Sequence, residues 1–113
     1  MRTVAGEVVV PRGVTAHVVP LVVVEVSDVS LADASAVTLA RLELADVLVE
    51  PGGRIPFRLD VPEAARNARL AVHAHVDANG TRAFSEGDLL TTQHVSVPSL
   101  GDVERVEVPV ALI

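Results

Sequence analysis

The sequence predicts an all-β protein: one antiparallel β-sandwich of about seven strands, spanning residues 1–113 as a single domain, with at most one or two short helical turns. Three observations predict it. Of the 113 residues, 24 are valine, whose branched side chain is stiff at χ1 and suits a pleated sheet better than a helix. Apolar residues recur with a period of two along five segments. Turn-forming residues separate these segments at roughly 10–15-residue intervals. A chain of this length hides roughly two-thirds of its unfolded surface, enough for one core without staples. The layout expected is immunoglobulin- or prealbumin-like, without the cysteine pair, tryptophan or tyrosine of true immunoglobulin domains.

Each element follows from its pattern. Val4, Gly6, Val8 and Val10 alternate with Thr3, Ala5, Glu7 and Val9. Val22, Val24 and Val26 alternate with Val23, Glu25 and Ser27. Val37 and Leu39 share one face, but Leu42 and Leu44 are in the opposite phase, so a bulge or break is expected near Ala40-Arg41. Ile55, Phe57, Leu59 and Val61 alternate with Arg54, Pro56, Arg58 and Asp60. Asp60, Pro62 and Glu63 are spaced to start one or two turns of helix. Leu70, Val72, Ala74 and Val76 alternate with Ala71, His73, His75 and Asp77. Asn79-Gly80 then suits a tight type I′ hairpin. Residues 81–97 read as a short strand, a corner and another short strand. Val106, Val108, Val110 and Leu112 complete the series against Arg105, Glu107, Pro109 and Ala111. Proline cannot donate to a ladder, so Pro56 and Pro109 point to sheet edges, and Pro11 and Pro20 interrupt a valine-rich ribbon.

Composition excludes several functions. Nine arginines, no lysine and fifteen acids give a formal charge of −6, which leaves no basic footprint for nucleic acid. Phe57 and Phe84 are the only aromatic residues besides histidine, too few for a stacking platform. Without cysteine there is no disulfide, thiolate metal site or cysteine nucleophile. No apolar run reaches the length of a membrane span. Val8-Val9-Val10 is stopped by Pro11-Arg12 before it could serve as a secretory h-region. The expectation as encoded is therefore a cytoplasmic chain, or a mature domain without its leader.

His73-Ala74-His75-Val76-Asp77 is the sharpest constellation for chemistry. Alternation puts both imidazoles and the carboxylate on one strand face, roughly 6–7 Å apart, a geometry that can serve a metal. The run looks like part of the H-x-H-x-D-H motif of metallo-β-lactamase-type hydrolases, but Ala78 stands in place of the last histidine. The reading taken is a solvated outer face and no metal or other cofactor; a weak metal site at His73, His75 and Asp77, and a partner contact, are the alternatives. Asp77-Ala78-Asn79-Gly80 reads as a turn, not a calcium loop. Ser85-Glu86-Gly87-Asp88 and Asp28-Val29-Ser30 read as turns too, since no G-x-S-x-G elbow or motif-placed histidine accompanies either serine. His17 and His94 receive no role. No catalytic residue and no enzyme activity is expected.

Residues 22–92 resemble the YbaY/YscW-type family of small bacterial envelope lipoproteins. The likeness rests on Val24–Ser30 followed by Ala32-Asp33-Ala34, on Ile55-Pro56-Phe57-Arg58-Leu59, on Leu70–Val76, and on Gly80–Leu90 with its Phe84-Ser85-Glu86-Gly87-Asp88 segment. The resemblance implies a non-enzymatic β-sandwich that works by protein–protein contact. It also implies an envelope location, and for some members a pilotin role toward the secretin ring. The family's lipid-bearing cysteine and signal peptide have no counterpart in this sequence, and Leu70 replaces its usual tyrosine. A small ligand- or metal-binding accessory domain using the His73/His75 face is the second functional reading.

The alternation itself marks a contact surface. Val9, Leu21 and Val23 point away from the core-facing set, where a half-exposed strand should carry polar groups. If the first two strands lie side by side, these three form one patch for a protein partner or a second copy of the chain; the alternative is that the N-terminal loop Pro11–Pro20 folds over it.

Overall fold

The computed structural model describes residues 1–31 and 35–113, so Ala32-Asp33-Ala34 of the family resemblance lie outside the described residues. Alternation becomes strand in all five strongly patterned segments. In chain order the strands of the described residues are β1 (Arg2–Val9), β2 (His17–Asp28), β3 (Val37–Val49), β4 (Arg54–Val61) and β5 (Leu70–Asp77). The dipeptide strands β6 (Leu89–Leu90) and β7 (Ser96–Val97) follow, then β8 (Val103–Pro109) and β9 (Ala111–Leu112). Two sheets stack: one ordered β4-β1-β8, the other β3-β2-β5-β6-β9, with β7 beside β6 on the same edge of β5.

The core lies between them and is built from the residues the period-two pattern selects. Val4, Val8 and Val10 face Val22, Val24 and Val26, with Ile55, Phe57, Leu59, Val72, Val76 and Val108 filling the layer. Each such side chain contributes about 1.5–3 kcal/mol on leaving water. The edge expectation from proline holds, since β4 carries Pro56 and β8 ends at Pro109, and both are edge strands. The phase break in β3 is a bulge: Val26 pairs with Ala40 but Ser27 with Thr38, leaving Leu39 as the extra residue.

Several expectations are corrected. β1 and β2 do not lie side by side; they belong to different sheets. One strand pair, β1 with β8, is parallel, made by residues a hundred positions apart in sequence, beyond the reach of local patterning. Strand β2 starts at His17 and runs through Pro20, whose place opposite Asp46 is skipped in the ladder; Asp46 answers with φ 52°. No helix forms among the described residues. After Asp60 the strand runs on to Val61, the chain turns at Arg66-Asn67, and it ties back through Ala64 N–H to Ser99 O. Asn79-Gly80 is not a tight hairpin, because only Gly80 of the two has positive φ, and β6 begins nine residues later.

The C-terminal segment links the layers. β8 completes the first sheet, Val110 N–H donates to Val9 O at 3.1 Å, and β9 then joins β6 in the second sheet.

Candidate functional site

The outer face of the second sheet, over β3, β2 and β5, carries most of the residues singled out in the sequence. Side chains of odd number on β5 point to it: Ala71, His73, His75 and Asp77. Beside them on β2 stand Leu21, Val23, Glu25 and Ser27, and on β3 Arg41 and Glu43. This face was expected to be solvated, and that is corrected. His75 is 5% exposed and Asp77 is fully buried, because residues 78–88 fold back across the end of β5.

Two carboxylates hold that loop. Asp77 Oδ1 accepts the N–H groups of Asn79 (3.3 Å) and Gly80 (2.9 Å), and its Oδ2 that of Arg82 (2.7 Å). This is an Asx turn at Asn79 extended by two more donors, Gly80 and Arg82, which also supply the positive φ it needs. Asp88 Oδ1 accepts Ala78 N–H at 2.9 Å, and its Oδ2 accepts Ser85 N–H at 3.2 Å and the His75 imidazole Nε2–H at 2.7 Å. Burial pushes the Asp88 carboxyl upward most strongly, but the bonds from His75, Ala78 and Ser85 together outweigh it and hold the group below the ordinary carboxylate value. The carboxylate is therefore ionised, and the histidine is the donor.

His75, Asp77 and Asp88 each offer a ligand atom within 4.8 Å of the others. His73, named in the sequence reading, is not in this group, and Asp88, read there as a turn residue, is. No motif spacing links His75 to Asp88; the loop alone brings them together. Both carboxylates are aimed at by backbone N–H groups, whose positive ends favour the anions and would oppose a cation. The arrangement clamps a loop.

Phe84 sits on top of the clamp, 63% exposed, with its ring edge-on to His75 at 4.9 Å and tilted against His73 at 6.2 Å. Burial holds the His73 imidazole below its ordinary pKa; Glu25 opposes this and His75 adds to it. Arg82 spans from the loop to Glu43 on β3, with Nη2 to Oε1 at 2.9 Å, and this pairing lowers the Glu43 carboxyl. Arg41 pairs with Glu25 at 3.1 Å. A depression of about 310 Å³ opens between Val23, His73, His75 and Phe84, with Glu43 and Arg82 as its charged wall. A second of about 470 Å³ continues past His73 along Ser27, Thr38 and Ala71 to the segment Thr91–Val95. Together they form a trough along the sheet.

Of the three residues expected in one contact patch, Leu21 and Val23 share this face, each 8% exposed, with Leu21 beneath Gly80 and Arg82. Val9 is not brought to them; it lies on the first sheet between Arg54 of β4 and Pro109 of β8. The His17 ring Nδ1 lies 2.6 Å from the Thr15 carbonyl oxygen, away from this face. Asp28 does act as a turn residue, accepting from Ser30 N–H and Oγ–H, which lowers its carboxyl.

Two stacked sheets closed by a shared C-terminal segment, with a trough on one outer face, define a small all-β sandwich domain. The chain belongs to the type III secretion system lipoprotein chaperone family (YscW), whose family model matches residues 1–109. Its fold is similar to that of an alternative pilotin from the type II secretion system of Vibrio cholerae, with a TM-score of 0.63 and 20% identity over 97% of this chain and 96% of that one. No curated protein matches it.

Proposed function

We propose that this protein is a pilotin-like chaperone of the bacterial envelope, acting by protein–protein contact with a secretin-type partner and carrying out no reaction. The observation that carries the reading is the match to the lipoprotein chaperone family over residues 1–109. The trough on the second sheet supports it as the contact surface. Its exposed Phe84 is an aromatic anchor of the kind that dominates protein interfaces, set beside opposite charges on Glu43 and Arg82. Leu21 and Val23, already largely covered within the chain, form the floor of this contact, and Val9 belongs to a separate one on the first sheet.

The test is calorimetric titration of the purified chain with the secretin from the same host. Phe84→Ala should weaken binding at least about tenfold, the loss of an exposed anchor that the partner covers, and Val23→Glu should weaken it by placing a charge on the trough floor. Val9→Glu separates the two faces, since it should leave this titration unchanged. No heat with the wild-type chain, or equal affinity in all three variants, would refute the reading.

A further inference from the structure

Among the described residues the two sheets present five lateral edges, and four are guarded against pairing. β4 carries Pro56 among Arg54, Arg58 and Asp60; β8 ends in Pro109 after Glu104, Arg105 and Glu107; β7 and β9 are two residues long each. Proline, dense charge and brevity are the usual devices that stop an edge from templating another strand. β3 has neither the proline nor the brevity, and its three charges are spread over thirteen residues. It runs thirteen residues without proline, and among the described residues nothing pairs with its outer side. Its regular stretch is bounded by the Leu39 bulge and the positive φ of Asp46.

That stretch is self-complementary. In Ala40-Arg41-Leu42-Glu43-Leu44, the outward residues are Arg41 and Glu43, and the inward, half-buried ones Ala40, Leu42 and Leu44. We propose that two copies of this chain pair antiparallel through β3, with Leu42 opposite Leu42 of the second copy. Arg41 then faces Glu43 of the other chain, twice by symmetry, and Leu44 faces Ala40.

The charges flanking the edge fit this register. Within one chain Glu25 already neighbours Arg41, and Arg82 already grips Glu43. Across the dyad these pairs join into two rows, each alternating acid, base, acid, base from Glu25 through Arg41 to the second copy's Glu43 and Arg82. A shift of one residue would set Arg41 against Leu42 and turn the leucines outward, so the charges and the apolar face select the same register. The dyad is perpendicular to the sheet, and both troughs open on the same side of one continuous sheet. A pairing this short is small for an interface, so the dimer is concentration-dependent. It does not rest on the secretin reading.

Sedimentation velocity from micromolar to millimolar chain tests it. The mass should rise from 11.8 kDa toward twice that value. Arg41→Glu alone and Glu43→Arg alone should each remain monomeric while keeping the wild-type circular dichroism spectrum. Mixed in equal amounts they should recover a dimer, because every facing pair is then opposite in charge. A wild-type chain that stays monomeric throughout, or single variants that dimerise as the wild type does, would overturn the proposal. A mixture that stays monomeric would overturn the register and with it the proposal.

Discussion

A Cβ added to Gly6 would stand 1.9 Å from the Val106 carbonyl oxygen, a backbone atom with no room to retreat. Gly6 lies where the β1–β8 register shifts, and the strands approach there as only glycine allows. Gly6→Ala should therefore destabilise by about 1–3 kcal/mol or more, read as a fall in thermal midpoint, whereas Gly13→Ala, which meets nothing, should change it little. His73 carries a pH effect. Its pKa is lowered by folding, so the unfolded chain binds the proton more tightly. That stabilisation is complete above the unfolded value of 6.5 and is lost as pH falls through the folded value. Urea midpoints measured from pH 8 to pH 5 should decline, and His73→Gln should flatten the slope. The same face should hold no tight zinc: each carboxylate of the His75, Asp77, Asp88 group is already met by N–H donors. Stoichiometric zinc after dialysis, abolished by His75→Ala, would contradict this.

Among the elements, the loop of residues 78–88 depends on two side chains. Asp88→Ala leaves His75 Nε2–H and the N–H groups of Ala78 and Ser85 without their acceptor. An unsatisfied buried group costs about 1–3 kcal/mol, so the variant should lose stability of that order. Amide hydrogen exchange should quicken over 78–88 before it does in β2. The clamp also shows the limit of sequence reading. The strands were legible because a period of two is a local signal, and Val22, Val24 and Val26 are buried as it requires. The face of His73, His75 and Asp77 was legible as one face. Its burial was not, since that depends on a loop whose closing residue, Asp88, is thirteen positions from His75 and joined to it by no motif. The absent helix after Asp60 is a similar case, in which local capping signals lost to a tertiary tie between Ala64 and Ser99.

For the whole molecule, sheet membership decides what sequence order could not. Adjacent strands β1 and β2 sit in opposite layers, while β1 pairs with β8. Arg2 Nη1–H reaches the Gly101 carbonyl at 2.9 Å, and Thr3 N–H the Asp102 carboxylate at 2.9 Å. Both sheets draw on residues 103–113, one for β8 and the other for β9. The order of events in synthesis follows from this. A chain emerging end first from a ribosome or a translocation channel cannot finish either layer until residues 103–113 are free, so β1 must wait with one flank open until they appear. Such closure over distant sequence is slow, on the order of milliseconds to seconds. Stopped-flow refolding should show single-step recovery on that timescale, and a chain ending at Asp102 should fail to reach a cooperative melt. The interval with an open flank is when a holding chaperone would matter most to this protein itself.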